Sequence, residues 1–244
     1  MAMLKEHGIP INTIIDIGCA DGTFGLECMN LYGRDIGVFN IDAQPIYEPS
    51  LRRIQQNVGG HYKITAVSSF DGQIRFGADD KDLPGGDRGL YGARISDQGE
   101  LIDCRTIDSL LREYQVPEPY FFKMDIEGAE FSVLQGAVDT LDKTVGMTLE
   151  VDVFYGPASR GNFLDIYSFL AARNFSLLDI TNLGYRPSDH VLYQVHASFL
   201  NKKYEFRHAA NFFSDGGQEG RMGEEMRQRR DAILARNEHL LRYL

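Results

Sequence analysis

Short apolar runs recur along the chain, each closed by a glycine or a charged residue. Thr13-Ile14-Ile15-Asp16-Ile17 runs β-branched into Gly18, with further glycines at 22 and 25. The pattern predicts a buried strand entering a tight turn. Residues 23–32 take helical spacing, and Ile36 to Ile41 reads as a second buried strand. Ile46 to Val58 predicts a helix with Leu51, Ile54 and Val58 on one side. Tyr62 to Val67 predicts a third strand, and Gln73 to Phe76 a short extra one. Strand and helix alternating through the first 70 or so residues point to an α/β, doubly wound, mostly parallel sheet.

The second half continues the theme. Ala78 to Gln98 is glycine-rich and aperiodic, which predicts a long surface loop of the kind that covers or lines a site. Thr106 to Leu111 opens a helix, with Thr106 as its N-cap. Tyr120 to Ile126 predicts a strand, with a helix following from about Ala129. Val145 to Val153 predicts another strand and Asn162 to Arg173 another helix. Phe175 to Ile180 and Val191 to Phe199 read as an antiparallel pair closing the sheet. Beyond Gly216-Gly217 the chain is strongly charged. Residues 1–203 are expected to form one domain and 204–244 a charged, helical extension with Ile233, Leu234, Leu240 and Leu241 inward.

Composition narrows the class of protein. The chain has 244 residues, 43% hydrophobic and 25% charged, ordinary values for a globular protein. Its net charge of −10 argues against a nucleic-acid partner, which needs a basic patch. Cys19, Cys28 and Cys104 are odd in number and lack metal-site spacing, which suits a reducing cytoplasm. No secretory leader pattern opens the chain, and no apolar run approaches the ~18 residues that span a bilayer. A cytoplasmic protein without membrane attachment is expected. Oligomeric state is left open, with a homodimer one option.

Candidate chemistry sits at the ends of the predicted strands. Open parallel sheets bind ligands beyond their carboxyl edge, where the first strand turns into the first helix. Here that turn is Asp16-Ile17-Gly18-Cys19-Ala20-Asp21-Gly22-Thr23-Phe24-Gly25. The second strand ends in Asp42, the position from which an acid holds a ribose diol. The turn departs from GxGxxG, and Asp16 and Asp21 flank it. Carboxylates there repel a pyrophosphate but suit S-adenosylmethionine, whose sulfonium and ammonium are positive and which carries no phosphate. The stretch FKMDIEGAEFSVLQG then places Asp125, Glu127 and Glu130 after a strand, with Glu130 opening a helix where an acid complements the helix dipole.

Four segments together resemble the FkbM family of S-adenosylmethionine-dependent methyltransferases: DIGCADGTFG, NIDAQPIYEPSL, TIDSLL and FKMDIEGAEFSVLQGA. The resemblance implies a Rossmann-like class I methyltransferase fold and O-methylation of a hydroxyl on a sugar or secondary metabolite. It implies that Gly18 and Gly22, with the backbone of Cys19 and Ala20, lie against the cofactor's methionine part, with Asp16 also among the cofactor-binding residues. Asp42, with Ala43, would hold the ribose, Val67 and Ser68 would lie near the adenine, and Asp125 would border the cofactor. Asp125, Glu127 and His190 are the candidates for proton transfer at the acceptor. The acceptor would lie under the Ala78 to Gln98 loop and around Tyr155. A divalent metal at Asp125, Glu150 and Asp152 is conceivable from their hard oxygens but is not expected. Two other readings stay open: a cofactor-binding scaffold that methylates nothing, and an NAD-dependent oxidoreductase.

Overall fold

The computed structural model describes residues 1–77, 94–95, 99–154 and 161–207, with isolated helical positions at 224, 228–229 and 231–232. Residues Met1–Tyr204 form one compact unit and Glu205–Leu244 a second. The tail residues Ile233, Leu234, Leu240 and Leu241, and Tyr155, lie outside the described residues, as does most of the Ala78 to Gln98 segment.

The first unit is built on a seven-stranded sheet. Its strands are β1 (Thr13–Ile17), β2 (Gly37–Asp42), β3 (His61–Ile64), β8 (Tyr120–Met124), β9 (Thr144–Asp152), β10 (Phe175–Tyr185) and β11 (Leu192–Asn201), in the order β10-β11-β9-β8-β1-β2-β3. The pairs β1–β2, β1–β8, β2–β3 and β8–β9 are parallel, while β11 runs antiparallel to both β9 and β10. This is a Rossmann-like sheet with an antiparallel closing pair. A second sheet of β4 (Ala66–Val67), β7 (Glu100–Arg105), β5 (Gly72–Gly77) and β6 (Arg94–Ile95) adjoins it in sequence.

The helices are α1 (Ala2–Glu6), α2 (Thr23–Tyr32), α3 (Glu48–Val58), α4 (Ile107–Tyr114), α5 (Glu130–Gln135), α6 (Val138–Leu141) and α7 (Phe163–Ala171). Thr106 caps α4 as its sequence predicts, its hydroxyl accepting from the Ser109 N–H at 3.1 Å. Asn162 and Asp165 close a reciprocal capping box on α7, which satisfies donors that a helix start would otherwise leave bare.

All five residues of β1 are buried, which explains its unbroken β-branched run: a central parallel strand is covered on both faces. β9 alternates instead. Met147, Leu149 and Val151 join the core, while Thr148, Glu150 and Asp152 are half-buried on the other face. Phe39, Phe122, Phe175 and Phe199 fill the centre.

Two predicted elements come out differently. The single strand expected over Tyr62 to Val67 is two, β3 in the large sheet and β4 in the small one. Thr65 makes the transfer: its N–H bonds the Asp42 carbonyl at 2.8 Å, and its hydroxyl bonds the Asp103 carbonyl at 3.0 Å. The chain therefore leaves β2 and joins β7 within one residue. The helix expected from Ala129 breaks after Gln135, because Gly136 packs so closely on Ser68 that an added Cβ would lie 2.2 Å from its carbonyl oxygen.

Candidate active site

The carboxyl ends of β1, β2 and β8 open onto one cleft, lined by Gly18, Ala20, Asp42, Ala43, Gln44, Tyr47, Val67, Asp125, Ile126 and Glu127 among others. It lies where β1 turns into α2, between a neighbour on each side. This is where a parallel sheet leaves room for a ligand.

Gly18 is required at that turn. Its φ is +71°, and a Cβ there would fall 2.0 Å from the Asp125 carbonyl oxygen. The two strand ends meet at this contact, tightened by the Asp125 N–H bonding the Ile17 carbonyl at 3.1 Å. Ala20 also takes positive φ, +47°, a conformation that costs a residue with a Cβ about 1–2 kcal/mol. Its backbone N–H is thereby aimed at Asp42, whose Oδ2 accepts it at 2.9 Å, while Oδ1 accepts the Gln44 N–H at 2.8 Å. Asp42 is 6% exposed. Burial raises its pKa, opposed by these two N–H groups. A carboxylate accepts at about four positions, so lone-pair capacity remains for a ligand hydroxyl.

Behind the turn runs a row of polar groups set by strand register. Asp16 lies between Asn40 on β2 and Lys123 on β8. Asp16 is fully buried, and neither of its oxygens has a hydrogen-bond partner among the described residues. The Lys123 ammonium stands 3.6 Å from it, 3.4 Å from Asp125, and donates to the Gly18 carbonyl at 3.2 Å. Burial pushes the Asp16 carboxyl up to about 6 against the pull of Lys123.

Asp125 is 35% exposed along its side chain, and its ionisation is linked to that of Glu150. Burial works against ionisation of Asp125, but Glu150 and the charge of Lys123 outweigh it and hold the carboxyl below its usual range. Glu150 takes the other half of the pair. Burial, Asp125 and the nearby Glu127 and Glu130 push it up to about 9. His196, opposite Glu150 on β11, brings Nε2 to 3.4 Å from Glu150 Oε1.

Glu127 lines the cleft from an exposed turn with φ of +56°. Glu130 is 3% exposed and folds back on its own turn, Oε1 accepting the Ile126 and Gly128 N–H groups at 3.2 and 3.4 Å. Burial pushes it up to about 7. His190 sits in the hairpin turn between β10 and β11, exposed, its N–H bonded to the Arg186 carbonyl at 2.8 Å, and it is not a lining residue of the cleft. Cys19, Gly22 and Ser68 shape the site from beneath rather than lining it. The Cys19 N–H bonds the Ile41 carbonyl at 3.2 Å, and a Cβ on Gly22 would strike Ile54 at 2.6 Å.

Several neighbours of the cleft were not legible in the sequence. Gln44, Tyr47, Thr65, Phe76 and Ile95 line it, and the last two come from the small sheet, whose pairing no local pattern reveals. Gln44 was the most accessible, since it lies two residues from Asp42. Among the described residues, no group of three histidine, cysteine or acidic side chains could hold a metal ion, Asp125, Glu150 and Asp152 included.

The lining fits a cationic ligand. It contains Asp42, Asp125 and Glu127 and no lysine, arginine or histidine among the described residues. The Asp16 carboxyl behind it makes no hydrogen bond and has the Lys123 ammonium 3.6 Å away, and burying such a group is costly unless its charge is compensated.

No curated protein sequence matches the chain. Among solved structures, it is similar to magnesium protoporphyrin IX methyltransferase from Synechocystis with bound S-adenosylmethionine (TM-score 0.42, 10% identity, covering 82% of this chain and 74% of that one). It is similar also to TrmK from M. capricolum with S-adenosylhomocysteine (TM-score 0.42, 12% identity, 86% and 71% covered). A third is the 1,6-didemethyltoxoflavin-N1-methyltransferase of Burkholderia thailandensis (TM-score 0.41, 15% identity, 82% and 75% covered). Likeness at these values says nothing of the acceptor. The family model of the methyltransferase FkbM domain matches residues 16–187, a span that holds the glycine turn, Asp42, Asp125 and Glu150. The chain belongs to the FkbM methyltransferase family.

Proposed function

We propose that the protein transfers a methyl group from S-adenosylmethionine to a hydroxyl of a small molecule, a sugar or a secondary metabolite, in the cytoplasm. The observation that carries this reading is the cleft itself: a glycine turn, Asp42 at the end of β2 and Asp125 at the end of β8 converge on one space without a cationic side chain. When bound, the cofactor supplies a methyl group already activated on a sulfonium.

The chain's own residues do the rest. Asp42 accepts from the ribose hydroxyls while the Ala20 and Gln44 N–H groups hold its carboxylate in place. Ala43 and Val67 line the cleft beside it. The Gly18 backbone faces the methionine part, and Asp16, fully buried behind the turn, acts on it through its charge alone. Asp125, ionised and open to the cleft, takes the proton of the acceptor hydroxyl, which is a poor nucleophile until that proton leaves. Glu127 borders the acceptor side of the same turn and serves as a second proton acceptor. His190, in its exposed hairpin turn, reaches an acceptor only if that molecule extends over β10 and β11.

Isothermal titration tests the reading. S-adenosylmethionine and S-adenosylhomocysteine are expected to bind and NADH is not. Preference for NADH would overturn the assignment. Tight cofactor binding with no turnover across a panel of hydroxylated acceptors would favour a scaffold role.

A further inference from the structure

A cation stands directly behind a cleft that suits a cationic ligand. Lys123 lies on β8 between Asp16 on β1 and Thr148 on β9, and its side chain is 18% exposed. An ammonium carries three donors. One of them reaches the Gly18 carbonyl at 3.2 Å. The Asp16 and Asp125 carboxylates stand at 3.6 and 3.4 Å, and the centre of the Phe24 ring at 6.0 Å. Gly18 and Asp125 both line the cleft, so the ammonium sits directly behind two residues that a ligand would touch.

The two acids around Lys123 are not equivalent. Asp125 is partly exposed and lines the cleft, whereas Asp16 is fully buried and does not. Asp16 makes no hydrogen bond among the described residues, so its role toward Lys123 is that of a counter-charge. Without Asp16, Lys123 would add a positive charge beside the cleft. Without Lys123, Asp16 would be a buried carboxylate with no cation in contact, a costly arrangement. A ligand's two forms feel such a charge unequally. The sulfonium of S-adenosylmethionine is positive, and the thioether of S-adenosylhomocysteine is neutral.

We infer that Asp16 and Lys123 form a charge-neutral pair behind the glycine turn that determines how strongly the cleft prefers the sulfonium donor over its thioether product. Lys123 is a positioning residue that ties the turn to the end of β8, and Asp16 cancels its charge, leaving that of Asp125 to the cleft. The inference rests on the methyltransferase reading for its ligands, and on the ion-pair geometry alone for the pair itself.

Isothermal titration at pH 8, above the value of about 6 to which burial pushes Asp16, compares the two ligands in wild type, both single variants and the double variant. Asp16→Asn uncovers the Lys123 charge. It is expected to lower the ratio of S-adenosylmethionine to S-adenosylhomocysteine affinity by about tenfold, the scale of one unit charge acting across roughly 10 Å at an effective dielectric constant of about 20. Adding Lys123→Met to Asp16→Asn is expected to return the ratio to within about twofold of wild type, as coupled charges require. Equal losses for both ligands in Asp16→Asn, or no recovery in the double variant, would overturn the role in discrimination. Thermal unfolding of the same proteins without ligand tests the pair independently of the cofactor. The double variant is expected to lose less than the sum of the two single losses, and additive losses would overturn the pair. Failure of wild type to bind either ligand would overturn the role in discrimination together with the cofactor reading, and the unfolding cycle would still decide the pair.

Discussion

Replacing Asp42 with alanine separates two jobs that its carboxylate performs at once. In the protein alone, its oxygens accept the Ala20 and Gln44 N–H groups at 2.9 and 2.8 Å. A buried donor left without a partner costs about 1–3 kcal/mol, so two of them set an upper range of about 2–6 kcal/mol. Two effects offset this. Water can enter the cleft and meet part of the demand, and the variant no longer buries a carboxylate whose ionisation burial already opposes. A loss near 2 kcal/mol is expected, or a fall in Tm of roughly 4–8 °C for a chain of this size. Cofactor affinity falls by a separate amount. Hydrogen bonds to a charged group are worth about 1.5–3 kcal/mol, which predicts at least about tenfold weaker binding of S-adenosylmethionine. Calorimetric unfolding and titration, run on the same preparation below the variant's Tm, measure the two independently. A lowered Tm with unchanged affinity would refute the ribose assignment and leave Asp42 as a brace for the turn. Unchanged values for both would refute the hydrogen-bond account of the turn itself.

Gly18→Ala should abolish measurable S-adenosylmethionine binding, since its Cβ would stand 2.0 Å from the Asp125 carbonyl oxygen at a φ of +71°; wild-type affinity in titration would show that the strand ends are not held as described. Asp125→Asn should keep Tm within about 2 °C and keep cofactor binding while lowering turnover by about a hundredfold or more, and a normal rate with an identified acceptor would exclude it as the base. Glu130→Gln should leave cofactor affinity unchanged, whereas Glu130→Ala should cost about 2 kcal/mol in urea unfolding by orphaning the Ile126 and Gly128 N–H groups; equal stability of the two would refute the capping role. Asp16, Glu130 and Glu150 are pushed up to about 6, 7 and 9. Their folded forms hold protons that the unfolded chain releases near pH 4, so the contribution of these groups to stability should be greatest below about pH 4, fall as pH rises through about 6, 7 and 9 and level off above that. Glu150→Gln should flatten the upper part of that curve, and an unchanged slope between pH 7 and 9 would contradict it.

What the sequence determined by itself is the part of this protein that local chemistry specifies. The β-branched run ending at Gly18, the acid closing the second strand and the FKMDIEG turn are each contained within a few residues, so the succession of strands and helices along the chain, the glycine turn and the candidacy of Asp42 and Asp125 could be read directly. Register is not local. Glu150 and His196 meet because β9 and β11 pair antiparallel with those two residues opposed, and a slip of one residue would point both away. From the sequence, His190 beside Asp189 was the more visible histidine. The folded chain places His190 in the exposed hairpin turn, with Arg186 gripping Asp189, and brings His196 to the acids instead. The split of one predicted strand at Thr65 has the same origin, since the Asp103 carbonyl that takes its hydroxyl is distant in sequence. Tertiary structure likewise decided what surrounds each carboxylate. Asp125 and Glu150 are both ordinary acids in the sequence, and only the fold brings the Lys123 ammonium to 3.4 Å from Asp125 and His196 to 3.4 Å from Glu150.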